Sequence, residues 1–200
     1  ARLKTETCGT LRRAPSVSSR SRKQGATTMN RSIVIDIETT GLNLSEGHRI
    51  VEIGAIELID HKRTGVMYQQ YINPERAMPA GAQAVHGLSS EFLINFPVFH
   101  EIADNFLDFL ENSDNLIFHH AAFDVMFLDE ELKRISYHPI KFETTICTKV
   151  MAWDAEPYSK TSLNALCAKL NIDTTHRQIH GAIKDCELTA KVYSKLRSLE

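Results

Sequence analysis

The sequence predicts an α/β fold in which a mixed five-stranded sheet is flanked by helices. Valine- and isoleucine-rich runs dominate the first part of the chain, and apolar residues at helical spacing alternate with short apolar runs further on. Three strands followed by alternating helices and strands are typical of a layered α/β domain. The 200 residues, 42% hydrophobic and 24% charged, suffice for one domain with an ordinary core.

The first three elements are predicted to be strands. The apolar β-branched run at 33–37 leads into two threonines and a glycine, which indicates a strand over about 32–38 inside the sheet. A longer run rich in valine and isoleucine predicts a second strand over 49–59. A turn at 61–65 and a third strand near 66–72 would complete a hairpin.

Helices and strands alternate in the next part of the chain. Pro74 and Pro79 interrupt the chain before a short predicted helix. The helix that follows has one apolar face, formed by Val98, Ile102, Phe106, Phe109 and Leu110. Residues 115–118 and 142–146 are predicted to be strands, with a helix over 123–135 between them.

Two helices are predicted to complete the domain. The first follows Ser162 and carries its apolar residues on one side, at Leu163, Leu166, Cys167 and Leu170. The face of the last helix is lined by Ala182, Cys186, Thr189, Tyr193 and Leu196. There is no internal repeat and no inner linker in the sequence, which favours a single domain.

The first 28 residues differ in composition from the rest. They contain seven lysines or arginines against Glu6 alone and show no apolar periodicity, which predicts a disordered leader over 1–28 and one domain over 29–200. An organelle transit peptide has a similar composition, but Met29 lies directly before the first strand. We expect Met29 to be the natural start, with the upstream residues a non-native addition or a misassigned reading frame.

The charge balance narrows the function classes. Residues 29–200 hold 16 of the 23 basic and 24 of the 25 acidic residues, a net charge of −8. Proteins that bind nucleic acid by themselves normally show a basic face. Any contact with phosphate is therefore expected to run through metal ions, or a partner is expected to hold the strand.

Membrane insertion and cysteine-based scaffolds are not indicated. No apolar run approaches the roughly 20 residues needed to cross a bilayer. The four cysteines are scattered without a C-x-x-C pair, so neither a zinc knuckle nor a disulfide framework is predicted. A reducing cytoplasm is the expected location.

The pair Asp36 and Glu38 is the first candidate for chemistry. Strand side chains alternate, so both carboxylates point the same way, and two unit charges about 4 Å apart repel by roughly 4 kcal/mol at an effective dielectric near 20. A cation would relieve this repulsion, as would solvent at the end of the strand. Because one such pair is expected by chance in a chain of this size, further carboxylates are needed to favour a metal site.

Three further residues supply them. Asp124 and Asp185 fall in the first turns of predicted helices, where helix capping is the alternative interpretation. His180 precedes the last helix beside Gly181, where a simple loop residue is the alternative. Strand ends and helix starts gather at one edge of an α/β layer, so the five side chains are expected to meet there. Such a set of carboxylates favours magnesium and not zinc.

The motifs that contain these residues resemble those of a known family. The stretch at 36–41, Phe123-Asp124, and His180 followed five residues later by Asp185 are similar to the three exonuclease motifs of the His-containing DEDD (DEDDh, DnaQ-like) nucleases. The similarity extends over about 31–198, including the segments 51–55, 85–87 and 162–167. Over that length the chain resembles the epsilon proofreading subunits of bacterial DNA polymerase III.

The resemblance implies a ribonuclease H-like fold and 3′–5′ removal of nucleotides from a single-stranded or frayed DNA 3′ end. It implies that the four carboxylates hold two divalent cations, Mg²⁺ or Mn²⁺, and that His180 is the general base. It also implies substrate contacts by the terminal-nucleotide loop, Thr39, Thr40, Gly41 and Leu42, and by His86, for which a turn histidine is the alternative. Phe123 is expected to fill the core.

One departure from the family, and two alternative functions, follow from the same comparison. Where the family commonly has His-Asn, this chain has His119-His120, and an imidazole at 120 could replace the amide or make the site sensitive to pH. The implied partner is the catalytic subunit of a bacterial replicative polymerase in the cytoplasm. The alternatives are a free-standing exonuclease that trims DNA or RNA and a catalytically inactive binding module, which the complete set of five residues disfavours.

Overall fold

The computed structural model describes residues 29–140, 144–175 and 179–198. Its five strands form a single mixed sheet in the order β3-β2-β1-β4-β5. Their bounds are Arg31–Thr39 (β1), Ile50–Ile59 (β2), Lys62–Tyr71 (β3), Asn115–Phe118 (β4) and Thr145–Cys147 (β5). β1 is antiparallel to β2 and parallel to β4, and β4 is parallel to β5.

In the described part of the chain, seven α-helices flank this sheet. They are Ala80–His86 (α1), Ser90–Leu93 (α2), Phe99–Leu110 (α3), Ala121–Arg134 (α4), Thr148–Ala155 (α5), Leu163–Lys169 (α6) and Ala182–Arg197 (α7). A short 3₁₀ helix, Leu44–Glu46, lies between β1 and β2. The mixed five-stranded sheet flanked by helices is the predicted fold class, which is confirmed.

The central strand divides the core between two faces because its side chains alternate. Ile33, Ile35 and Ile37 are buried on the face that α3 and α4 cover. Val34 lies on the opposite face, with Cys186 and Tyr193 of α7. The alternation therefore directs the side chains of the even-numbered residues of β1 toward α7, and this face carries the candidate carboxylates.

The hairpin differs from the sequence prediction. The turn is formed by Asp60 and His61, both with positive φ, and β3 begins at once at Lys62. Gly65, which led us to extend the turn, lies inside β3 with φ +93°, where the register between β2 and β3 shifts. A two-residue turn with left-handed φ at both positions matches the twist of the strands, and Asp and His tolerate it better than most residues.

Two predictions fall outside the described residues, and one helix was not predicted. The leader over 1–28 and the start of the last predicted strand, at 142, lie outside them, whereas α5 was not predicted at all. None of the helices in the described part of the chain is long and apolar enough to cross a membrane.

Candidate active site

The topology brings the five predicted residues to one edge of the sheet. β1 and the parallel strand β4 both end there, and α4 and α7 both begin there. The cavity at this edge has a volume of about 340 Å³. All five candidates line it: Asp36, Glu38, Asp124, His180 and Asp185.

Three of the five form a compact group. Ligand atoms of Glu38, His180 and Asp185 all lie within 4.8 Å of one another. Asp36 and Asp124 line the same cavity outside this group. Glu38, Asp124 and Asp185 are buried, whereas His180 is exposed enough for its ring to meet a substrate.

Asp124 is a buried carboxyl whose surroundings disfavour its ionised form. The residue is only 4% exposed, and burial raises the pKa of Asp124 to about 8, although backbone hydrogen bonds at Ile37 and His120 partly oppose the shift. The pKa of the buried Cys186 thiol is also raised well above its usual value, by burial and by the negative charges of Asp36 and Asp185. The cavity thus gathers several carboxyl groups that are largely removed from solvent.

This donor set fits divalent cations. Hard cations such as Mg²⁺ and Mn²⁺ prefer carboxylate oxygens, and a bound dication favours the ionised form of a buried carboxylate. Asp124 is the clearest case, because burial alone would keep it protonated near neutral pH. Asp124 and Asp185 stand in the first turns of α4 and α7 but are not the N-cap residues, which are His120 and Gly181.

His180 is positioned by two neighbours from different parts of the chain. Its Nδ1 lies 3.4 Å from the Oδ2 atom of Asp185, and its backbone N–H donates to the carbonyl of Val85 at 3.2 Å. The side chain remains 43% exposed. The imidazole therefore lies at the mouth of the cavity beside a carboxylate that orients it.

The start of α7 rests on two residues of β2 that sequence reasoning left without a role. The Oε2 atom of Glu52 accepts a hydrogen bond from the backbone N–H of Ala182 at 3.1 Å, and burial raises the pKa of Glu52. Gly54 lies so close that a Cβ there would be 2.6 Å from the carbonyl carbon of Ala182. A glutamate within an apolar strand and a glycine inside a strand were the available signals.

His119 is another residue that lines the cavity and was not predicted to act there. Its Nδ1 lies 2.9 Å from the hydroxyl of Thr148, and burial, with the charge of Lys149, lowers the pKa of His119 to about 4. The same two causes lower the pKa of His120, whose ring stacks on Phe123 at 6.0 Å. Both imidazoles are therefore neutral at physiological pH.

The terminal-nucleotide loop does not line the cavity but continues directly from Glu38. The hydroxyl of Thr39 donates to the carbonyl of Gly41 at 2.7 Å, and Leu42 is exposed. Thr40 is fully buried, and its hydroxyl accepts the backbone N–H of Arg49 at 3.0 Å. The side chain of Thr40 therefore holds the loop in place and is not available to a ligand.

A partly buried ion pair holds this loop against α4. The Nε atom of Arg49 lies 2.6 Å from Oε1 of Glu131, and its Nη2 lies 2.8 Å from Oε2. The backbone of Arg49 in turn pairs with that of Thr40, whose N–H donates to the Arg49 carbonyl at 2.9 Å. The ion pair thus fixes the loop to the same helix that carries Asp124.

His86, at the end of α1, is buried, and one of its two ring nitrogens has no hydrogen-bond partner among the described residues. Its Nδ1 accepts the backbone N–H of Leu88 at 3.1 Å, so the proton of the neutral ring is on Nε2. Nε2 has no hydrogen-bond partner among the described residues. Burial lowers the pKa of His86, the backbone of Thr39 partly opposes this shift and the charge of His180 adds to it, which shows that His86 lies near both the loop and the cavity.

The fold and the cavity together define a ribonuclease H-like nuclease of the DEDDh class. Residues 33–193 match the model of a family described as Exonuclease. The chain belongs to this exonuclease family, whose DEDDh members use divalent metal ions.

Individual relatives agree. The chain is 50% identical over 169 residues to the DNA polymerase III subunit epsilon of Rickettsia conorii, covering 83% of this chain and 73% of that protein. It is 39% identical over 176 residues to the subunit of the same name from Escherichia coli, covering 84% and 72%. The nuclease domain of 3′hExo, a DEDDh family member, has a TM-score of 0.74 at 18% identity, with 88% and 94% covered. The chain is a metal-dependent 3′–5′ exonuclease of the proofreading type.

Proposed function

We propose that this exonuclease removes nucleotides from DNA 3′ ends as the proofreading subunit of a bacterial replicative polymerase. The observation that carries the proposal is the convergence of four carboxylates and His180 on one cavity, within a chain up to 50% identical to proteins named as epsilon subunits. The exonuclease domain is proposed to comprise residues 29–200. Association with the polymerase catalytic subunit and a cytoplasmic location are part of the same proposal.

Two divalent cations, Mg²⁺ or Mn²⁺, are proposed to be held by Asp36, Glu38, Asp124 and Asp185. When bound, such cations supply Lewis-acid stabilisation of the charge that develops on the phosphate in an in-line displacement. Four ionised carboxylates balance two dications, so the loaded cavity is neutral and accepts an anionic phosphodiester. This balance explains how a domain with a net charge of −8 can receive a DNA end.

His180 is proposed to be the general base. It accepts a proton from the attacking water as the water oxygen forms a bond to phosphorus and the bond to the 3′ oxygen of the shortened strand breaks. The nearby carboxylate of Asp185, 3.4 Å from Nδ1, orients the ring and stabilises the imidazolium that forms. Oxygen ligands suit magnesium better than an imidazole does, so His180 is not assigned as a metal ligand.

The loop Thr39–Leu42 and His86 are proposed to hold the terminal nucleotide. The backbone near Thr40 and Gly41 would approach the 3′ hydroxyl, and the exposed side chain of Leu42 would contact the base. The buried Nε2–H of His86 gains a hydrogen-bond acceptor when a nucleotide is bound, and an unpartnered buried donor costs about 1–3 kcal/mol. This is an additional reason to assign His86 to binding and not to the turn.

The test is release of mononucleotides from a primer with a mismatched 3′ end. Wild-type protein should release nucleoside 5′-monophosphates with Mg²⁺ or Mn²⁺ and none with a chelator. His180→Ala should lower kcat by roughly 10²–10⁴-fold and remove the rise of rate with pH near the imidazole pKa. The exposed His100, on α3, provides a matched control, and His100→Ala should leave the rate unchanged.

Metal binding gives a second measurement that does not depend on turnover. Titration with Mn²⁺, followed by electron paramagnetic resonance, should count two ions per chain and fewer in Asp185→Asn. An unchanged rate in His180→Ala would remove that residue from the mechanism. Release from RNA but not DNA, without copurification of a polymerase subunit, would favour the free-standing exonuclease.

A further inference from the structure

A second cavity adjoins the catalytic one on the side away from the terminal-nucleotide loop. Its volume is about 370 Å³, and it shares two lining residues with the catalytic cavity, His120 and Lys149. The rest of its lining is mostly apolar and includes Ala122, Val150 and Trp153. We call it the lateral groove.

The outer side of α5 gives the groove its apolar wall. Val150 and Trp153 are three residues apart and thus share one face of the helix, and both are exposed, Trp153 by 44%. The opposite face is buried at Ala152, which packs into the cluster formed with α6 and α7. Apolar side chains on the solvent side of a helix whose other side is already packed mark a binding surface.

Two further aromatic rings contact residues that line the groove. Phe123 stacks on His120 at the catalytic end, and Tyr158 meets Trp153 edge to face at 5.4 Å at the other. Tyr158 is 92% exposed. The exposed rings of Trp153 and Tyr158 are suited to unstacked bases, because every base offers a π face.

The charge of the groove contrasts with that of the domain. Among the described residues that line it, none is acidic, and Lys149 stands between the groove and the catalytic cavity. Lys149 is close enough to both neighbouring imidazoles for its charge to lower their pKa values. A lysine at this junction is placed to contact the phosphodiester between a nucleotide in the groove and the terminal nucleotide.

The order of the β-strands indicates the direction in which a bound DNA strand leaves the catalytic cavity. The sheet order β3-β2-β1-β4-β5 places the β1–β2 loop on one side of the catalytic cavity and β5, with the following α5, on the other. If the terminal nucleotide lies at Thr39–Leu42, the chain of nucleotides leaves the cavity toward α5.

We propose that the lateral groove binds the nucleotide immediately upstream of the scissile phosphodiester, with its base stacked on Trp153 and with Lys149 beside the phosphodiester that joins it to the terminal nucleotide. The inference rests on the proposed function, because it uses the assigned position of the 3′ end. It makes the enzyme require an unpaired nucleotide beyond the terminal one, since a base in a duplex cannot stack on Trp153. Stacking is tolerant of base identity, so the groove should favour unpaired over paired nucleotides without distinguishing their sequence.

Fluorescence tests binding in the unmodified protein, since Trp153 is the single tryptophan of the chain. The probes are thymidine 5′-monophosphate, which fills the terminal site alone, and a thymidine trimer with a phosphorothioate at its last linkage to slow hydrolysis. The trimer should quench the tryptophan emission, and the monophosphate should leave it unaltered. Equal responses to both probes would contradict the assignment.

Kinetics test the same point with variants. A chromogenic aryl ester of thymidine 5′-monophosphate has no upstream nucleotide, whereas the unmodified trimer has two. In Trp153→Ala the ratio of kcat/KM for the trimer to that for the ester should fall roughly 5- to 150-fold, the range that corresponds to one lost stack. Trp153→Phe should restore most of the ratio, and Phe92→Ala, an aromatic residue of equal 44% exposure on α2, should not change it.

The outcomes separate the two proposals. If the wild-type protein hydrolyses neither substrate, the proposed function fails, whatever happens at Trp153. If it hydrolyses both substrates, but the trimer does not quench the wild-type emission and Trp153→Ala leaves the ratio unchanged, the groove does not bind the strand. Loss of polymerase copurification in Trp153→Ala with an unchanged ratio would instead make the groove a protein interface and overturn the inference.

Discussion

Replacing Asp124 by asparagine should make the metal-free protein more stable. Burial raises the pKa of Asp124 to about 8 from the ordinary value of 3.8. Because the folded pKa is raised, the stability linked to the bound proton is present at low pH and is lost as pH rises from about 4 toward 8. An asparagine has no such proton to lose.

The magnitude follows from the size of the shift. Each pKa unit is worth about 1.4 kcal/mol, so near pH 7 the unfolded chain has released a proton that the folded protein keeps, a loss of roughly 4 kcal/mol. The asparagine amide introduces a donor that needs its own partner, at about 1–2 kcal/mol. Asp124→Asn should therefore raise the free energy of unfolding by about 2–3 kcal/mol in chelator near pH 7.

With metal bound, Asp124→Asn should lower the free energy of unfolding instead of raising it. Metal that binds only the folded state stabilises it, and a variant without one ligand loses part of that gain. Urea denaturation followed by circular dichroism, in chelator and in Mg²⁺ and across pH, measures both effects. The control is Asp108→Asn on the exposed side of α3, expected to change the free energy of unfolding by less than about 0.5 kcal/mol. If Asp124→Asn is no more stable than wild type in chelator near neutral pH, Asp124 is not a destabilised carboxylate.

Three other substitutions probe the supports of the site. Gly54→Ala should destabilise by about 1–3 kcal/mol in urea denaturation and slow nucleotide release, because its Cβ meets the backbone of α7, whereas Gly81→Ala, which meets nothing, should do neither. Glu131→Ala leaves the half-buried Arg49 without its main partner and should lower the free energy of unfolding by about 1.5–3 kcal/mol, measured the same way; a neutral result would show that the pair does not anchor the loop. For His120→Asn, pH–rate profiles should coincide near neutrality, where the lowered pKa keeps His120 uncharged, and the variant should be faster only at acidic pH; coincidence at all pH values would make His120 a neutral replacement.

Much of the fold is predictable because its determinants are local. The β-branched runs of β1 and β2 lie within a few residues of their predicted bounds, since burial on both faces of a strand imposes a continuous apolar sequence. α5 was missed for the opposite reason. Val150 and Trp153 face solvent, so the apolar pattern of α5 does not follow the face that packs on the protein.

The residues of the candidate site also divide into those that local sequence predicts and those that depend on distant contacts. Asp36, Glu38 and Asp124 were predictable as candidates because strand ends and helix starts can be recognised from neighbouring residues. Glu52 was not, because its role depends on Ala182, which is 130 residues away in sequence and reaches it only through the packing of α7 on β2. His119 likewise acquires its neutral state from burial, which the local sequence does not show.

Burial links stability and activity at this site with opposite signs. The environment that makes the ionised form of Asp124 unfavourable also strengthens its interaction with a cation, because both effects grow as water is excluded. A substitution selected only for stability would therefore remove this carboxylate first, together with the metal. Glu52 follows the same rule for burial but already accepts two hydrogen bonds, from Gln69 and Ala182, so its replacement should lower stability. Opposite responses of these two buried acids in chelator would distinguish a metal ligand from a structural carboxylate.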